Sequence, residues 1–273
     1  MMRFIAGQKH RNLSTLIVFG LGAMVALCGN VLGAEVAQTQ PENSRRTFAD
    51  WCRQKDSLTP EAKHTVEVLL KGTKTTDCNA ADRKLSSLTG LLVSRNQISD
   101  IKPLASLTNL TSLLLSGNQI SDIKPLASLT KLTDLRLINN QISDIRPLAY
   151  LSKLTMLDLS HNQISDIKPL ASLTKLTLLY LDNNQINDIK PLASLTKLTL
   201  LYLDNNQIND IKPLQSLTKL TDLRLINNQI SDIKPLESLT KLNRLDLDGN
   251  PIAPKICPLK PESICNWEPR PKL

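Results

Sequence analysis

Leu132-Thr-Asp-Leu135-Arg-Leu137-Ile-Asn-Asn140-Gln-Ile142-Ser-Asp-Ile145-Arg-Pro147-Leu148-Ala-Tyr-Leu151 is one unit of a pattern that recurs along the chain. Its asparagine returns every 22 residues without a slip, at Asn96, Asn118, Asn140, Asn162, Asn184, Asn206, Asn228 and Asn250. A fixed period of this length marks a solenoid, because each unit is too small to cover its own apolar face and buries it against its neighbours. Leu135 and Leu137 alternate with Arg136, so the leucines point inward and the arginine outward, which predicts a short strand. Successive strands then stack in parallel about 4.8 Å apart, and eight of them span roughly 34 Å.

Past each strand the chain must turn sharply, leaving backbone groups inside the coil that water cannot reach. An amide side chain offers both a donor and an acceptor, so the asparagine column reads as a structural ladder and not as catalytic machinery. The return segment, Ile-x-x-Ile-x-Pro-Leu-x-x-Leu, carries a proline in seven units (Pro103, Pro125, Pro147, Pro169, Pro191, Pro213, Pro235). Proline disfavours the α conformation at the residue before it, so short 3₁₀ turns are expected there in place of a long helix. The expected fold is an α/β solenoid: a right-handed curved rod with a concave parallel β-sheet and a 3₁₀ or irregular convex side.

The flanks differ from the array. Residues 1–34 read as a signal peptide: a basic start, an apolar run from Leu13 to Cys28, then Leu32-Gly33-Ala34 as a small-residue cleavage site. The run is short for a membrane span, which needs about 20 residues. After cleavage the chain is therefore not expected to be an integral membrane protein. Cys28 lacks the small residue expected just before a lipidated cysteine. Residues 35–46 are polar and read as a flexible leader, and residues 47–84 as a helical cap. In that cap Thr59-Pro60-Glu61 supplies an N-cap, a first-turn proline and an early acid, and Val66, Leu69 and Leu70 form one apolar face. The array covers residues 85–252, and residues 253–273 form a C-terminal cap and tail in which Trp267 can cover the last coil.

Without Cys28, four cysteines remain: Cys52 and Cys78 before the repeats, Cys257 and Cys265 after them. An even number at the two ends of an exported chain reads as two disulfides, Cys52 with Cys78 and Cys257 with Cys265. A single zinc site would need all four to meet, although a rigid rod separates the pairs. The compartment implied is periplasmic, secreted or cell-surface.

The unit Leu-x-x-Leu-x-Leu-x-x-Asn-x-Ile-x-x-Ile-x-Pro-Leu-x-x-Leu resembles the 22-residue leucine-rich repeat of bacterial internalins over about residues 85–252. The resemblance implies a concave sheet that binds protein partners, often on host cells. Internalins usually add an immunoglobulin-like domain and a surface anchor, and neither is visible in this sequence. Host invasion is thus not implied. Intracellular phosphatase regulators share the repeat type, but the signal sequence argues against that role.

Because the register never slips, the outward strand positions fall into columns. The central one runs Leu92, Leu114, Arg136, Asp158, Tyr180, Tyr202, Arg224, Asp246. In the column two residues earlier, Met156, Leu178 and Leu200 stand beside the tyrosines, and Asp134 and Asp222 beside Arg136 and Arg224. Tyrosine and arginine are frequent binding hot spots, so these ten residues (Asp134, Arg136, Met156, Asp158, Leu178, Tyr180, Leu200, Tyr202, Asp222 and Arg224) are the candidate protein-binding face. Duplication is the competing account. Residues 176–197 and 198–219 differ only at Ala193 against Gln215, residues 132–153 and 220–241 differ at four places, and copied tyrosines can simply stack.

Other functions find little support. The net charge of +8 falls to about +5 once Arg3, Lys9 and Arg11 leave with the signal. Lys102, Lys124, Lys168, Lys190, Lys212 and Lys234 each follow an aspartate by two residues, which makes a mixed-charge stripe and not a nucleic-acid surface, given 3% aromatics. Asp182 and Asp204 alone fall short of a calcium shell. No nucleophile elbow, phosphate loop or paired metal motif accompanies His10, His64 and His161. The expectation is a non-enzymatic module with no cofactor and no metal, gripping a protein or, as the lesser alternative, a glycan. A self-associating envelope protein is the second reading.

Overall fold

The computed structural model describes Phe4–Ile5, as backbone, and residues 46–268. The rest of the expected signal peptide with Cys28, the expected leader up to residue 45 and the tail from residue 269 lie outside the described residues.

Each coil contributes one three-residue strand: β2 (Gly90–Leu92), β3 (Ser112–Leu114), β4 (Asp134–Arg136), β5 (Met156–Asp158), β6 (Leu178–Tyr180), β7 (Leu200–Tyr202), β8 (Asp222–Arg224) and β9 (Arg244–Asp246). All pair in parallel with residues exactly one period apart in register, as in Tyr180 with Tyr202. The sheet is longer than the repeat count implies. A ninth parallel strand, β10 (Cys265–Asn266), is supplied by the C-terminal cap, and β1 (Phe4–Ile5) lies antiparallel along β2 at the other edge.

The inward column Leu113, Leu135, Leu157, Leu179, Leu201, Leu223 and Leu245 is fully buried. Each such leucine is worth about 1.5–3 kcal/mol of burial, and repetition builds one continuous apolar core along the rod. The convex side is made of 3₁₀ turns, such as Lys124–Ser128 and Lys168–Ser172, as the prolines predict. The aspartate before each turn has a role the sequence did not show. Asp122 accepts the Lys124 N–H at 2.9 Å and Asp188 that of Lys190 at 2.9 Å, which caps the turn.

The asparagine ladder forms as expected. Asn162 Oδ1 accepts Ile142 N–H at 3.0 Å, while its Nδ2 donates to Leu137 O and Leu159 O, both at 3.0 Å. The residue before each ladder asparagine is left-handed: Arg95 (φ 59°), Gly117 (69°), Asn139 (54°), His161 (57°), Asn183 (56°), Asn205 (54°), Asn227 (54°) and Gly249 (71°). That explains the Asn-Asn and Gly-Asn pairs, since asparagine and glycine tolerate this region best.

The N-terminal cap holds three helices, where the sequence pointed to one: α1 (Phe48–Arg53), α2 (Pro60–Thr73) and α3 (Cys78–Ser86). Cys52 joins Cys78 and Cys257 joins Cys265. α1 escaped notice because it is short, yet it carries a complete capping box between Thr47 and Asp50. The cap also serves the first coil as a preceding coil would. His64 Nε2 donates to Asn96 O at 2.6 Å and Thr65 Oγ1 to Asp100 O at 2.6 Å. Trp267 packs half-buried against the far end of the core.

Candidate functional site

The pleat turns the predicted columns onto one face. Tyr180 and Tyr202, one coil apart, meet edge to face with ring centroids 5.2 Å apart and planes at 88°, a favoured aromatic geometry. Leu178, Leu200 and Met156 lie half-buried beside them. Burial and the nearby aspartates, Asp158 for Tyr180 and Asp222 for Tyr202, raise both phenols above their ordinary value, so they remain neutral hydroxyls.

On one flank Arg136 Nε is held by Asp134 at 3.2 Å, and its Nη2 also reaches Met156 Sδ at 3.3 Å. The opposite flank is wired differently. Arg224 does not pair with Asp222. Its guanidinium bonds Asp204, lies 3.8 Å from Asp246 and stacks 4.8 Å over the Tyr202 ring. Asp222 instead accepts the Tyr202 hydroxyl at 3.3 Å and faces Arg244 at 3.8 Å. The two Asp-Leu-Arg strands are identical in sequence, but next to β4 stand Met156 and Asp158, and next to β8 stand Arg244 and Asp246. Neighbouring coils therefore decide which carboxylate each arginine takes.

Asp158 lies in the expected column and is buried, and its carboxylate accepts Ser160 N–H at 3.1 Å. Leu92 and Leu114 stay half-exposed and extend the face toward the cap.

Acids dominate a third outward column, two residues after the central one, which holds Asp182, Asp204 and Asp248. Asp182 accepts Asp204 N–H at 3.0 Å, and Asp204 in turn accepts Ile226 N–H at 2.9 Å. Burial, with Asp204 beside it, raises the Asp182 carboxyl to about 6. Burial likewise raises Asp158 and Asp204. Across the three columns seven aspartates face three arginines, so the concave surface is acidic in a chain of net charge +8.

The raised Asp182 value makes a stability prediction. Between the unfolded value of 3.8 and about 6, only the folded chain keeps the proton. The penalty is thus absent below the lower value, grows across that window and is complete above it, at most about 3 kcal/mol. Asp182→Asn keeps an acceptor for Asp204 N–H. It should raise the urea midpoint at pH 7 and leave it unchanged at pH 4; equal midpoints at pH 7 would contradict this.

The architecture defines a leucine-rich repeat protein, and the comparisons agree. The family model for leucine-rich repeats (2 copies) matches residues 108–150, 152–194, 174–216 and 218–261. No curated protein sequence matches the chain. Among solved structures, internalin C2 from Listeria monocytogenes is 40% identical with a TM-score of 0.67, over 73% of this chain and 88% of that one. Internalin F from the same organism is 32% identical with a TM-score of 0.53, over 72% and 71%. A leucine-rich repeat protein of Leptospira interrogans is 33% identical with a TM-score of 0.62, over 69% and 50%. This chain belongs to the leucine-rich repeat family, in its internalin type.

Leucine-rich repeat proteins serve generally as protein-interaction modules. Among the described residues no helix is long and apolar enough to cross a membrane.

Proposed function

We propose that the chain is an exported, non-enzymatic module that holds a protein partner on its concave face, with Tyr180 and Tyr202 as anchors. The observation that carries this reading is the half-exposed, edge-to-face tyrosine pair on a ledge of Leu178, Leu200 and Met156, flanked by Arg136 and Arg224. Solvent-facing apolar and aromatic side chains on an open sheet add little to the monomer, whereas tyrosine and arginine in such settings dominate binding energies. Two disulfides, together with the signal expected over residues 1–34, support an oxidising compartment outside the cytoplasm.

The test is capture from envelope extracts of the source cells and from candidate host membranes, with the chain from Glu35 onward as bait. Tyr180→Ala/Tyr202→Ala should weaken retention of the partner about 100-fold or more, at two hot spots, with the circular dichroism spectrum unchanged. If both baits retain the same set, the tyrosines are relics of duplication. Concentration-dependent oligomers of the purified chain that ignore the double variant would favour the self-associating envelope protein instead.

A further inference from the structure

A second surface lies along the lateral edge, where each coil returns from its convex turn to the sheet. Lys131, Lys153, Lys175, Lys197, Lys219 and Lys241 occupy the same position in six consecutive coils, and all are exposed. Coils stand about 4.8 Å apart, so these ammonium groups form a continuous cationic rail.

This rail differs from the convex lysine stripe. There each cation follows an aspartate and several pair with it, as in Lys102 with Asp100 at 3.1 Å and Arg146 with Asp144 at 2.6 Å. On the lateral edge, residues 127–133, 149–155, 171–177, 193–199 and 215–221 contain no acid, and the sixth stretch, 237–243, holds one, Glu237. Lys131 donates to Asn109 Oδ1 at 2.7 Å; the other five make no ion pair or hydrogen bond among the described residues.

One coil departs from its copies on this edge. In five other coils, from the second onward, a serine closes the 3₁₀ turn and donates its hydroxyl to the coil before, as in Ser128 to Ala105 O at 2.7 Å, Ser194 to Ala171 O at 2.9 Å and Ser216 to Ala193 O at 2.8 Å. Tyr150 takes that place three residues before Lys153, forgoes the bond and stands 68% exposed. Tyr180 and Tyr202 lie in near-identical repeats, so copying alone could supply the second of them. Copying does not explain Tyr150, because the near-copy of this repeat has Ser238 there.

We propose that this edge binds an acidic polysaccharide, one carrying a carboxylate or sulfate on each sugar, along the lysine rail with one ring stacked on Tyr150. A pyranose unit is about as long as the coil spacing of about 4.8 Å, so successive charges can meet successive lysines. A single aromatic platform fits a sugar face. Single-stranded nucleic acid instead calls for a series of stacking rings along its path. A membrane surface calls for an apolar face beside the cations, and threonine, serine and alanine flank this rail.

Binding of alginate oligosaccharide and of dextran sulfate to the full chain tests the proposal, with neutral dextran, oligothymidylate and phosphatidylglycerol vesicles as comparison arms. At least one acidic polysaccharide should bind, weaken with added salt, and outcompete all three comparison arms. Lys175→Gln/Lys197→Gln/Lys219→Gln should weaken it about tenfold or more and flatten the salt dependence. Tyr150→Ser installs the residue of the sister coils, so the fold is kept; it should weaken binding several-fold while leaving the salt dependence unchanged. Tyr180→Ala/Tyr202→Ala should have no effect, which separates this edge from the concave face. No binding by either acidic polysaccharide at low salt, binding of oligothymidylate or vesicles as tight as theirs, or an unaffected Tyr150→Ser variant would overturn the assignment.

Discussion

Asn162→Ala is expected to lose roughly 2–4 kcal/mol of stability, because it strands one buried N–H at about 1–3 kcal/mol and removes hydrogen bonds worth about 0.5–1.5 kcal/mol each from two carbonyls. Ile142 N–H loses its acceptor, while Leu137 O and Leu159 O each lose one of two donors and keep Asn140 Nδ2 and Asn184 Nδ2. The damage also propagates. A solenoid is stabilised by nearest-neighbour interfaces, and this side chain links the backbones of two coils in the middle of the array. Urea unfolding should show a lower midpoint, together with a broader transition as the two halves uncouple. The first rung provides the control. Asn96 is half-exposed and its amide donates only to Ser94 O, at 2.8 Å, so Asn96→Ala should cost about 1 kcal/mol. Equal losses at the two positions would show that the ladder is not what holds the coils together.

The paired Cys52→Ala/Cys78→Ala variant should lose about 3.5 kcal/mol from the N-terminal cap, by loop-closure entropy for a separation of 26 residues. The bond fastens α1 to α3, and Phe48, Trp51, Val66, Leu69 and Leu85 from this cap close the end of the apolar core. Once the cap opens, Leu91, Val93 and Ile98 of the first coil face water, so association of the variant at raised concentration is expected as well. Hydrogen exchange should accelerate first in residues 47–86 and β2, ahead of the central coils. The Cys257–Cys265 bond closes a separation of only 8 and should contribute about 2.5 kcal/mol. Unchanged exchange in the cap after removal of Cys52 and Cys78 would mean that packing alone secures it.

Much of this molecule was legible before any coordinates. A 22-residue period dictates which leucines are inward, and strand alternation dictates which residues share the concave face. Tyr180 and Tyr202 could thus be placed as neighbours from arithmetic. The ladder asparagines followed from a physical need, since a tight coil leaves backbone groups that only an amide can satisfy twice. The left-handed residue before each asparagine had a signal as well, in the Asn-Asn and Gly-Asn pairs. It was missed because the ladder role accounted for only one member of each pair.

Other features had no periodic signal. α1 is six residues long, too short for apolar spacing to declare itself, and β10 is a two-residue strand that starts at the cysteine closing a disulfide loop. The lateral lysines were visible as a repeat position. Their freedom from acidic partners, and the exposure of Tyr150 beside them, depend on where each coil sets its side chains.

The sequence by itself determined the solenoid, its register, the buried columns and the pairing of cysteines at each end, because a strict repeat places every residue by its position in the period. The tertiary structure decided the electrostatics. Arg136 holds Asp134, whereas Arg224, in an identical strand, abandons Asp222 for Asp204 and Asp246. Asp182 rises to about 6 because stacking the coils buries it, with Asp204 beside it in the next coil. Packing follows a residue's place in its own repeat, but charge reaches across to whatever the adjacent coil presents, and that is settled only when the coils are stacked.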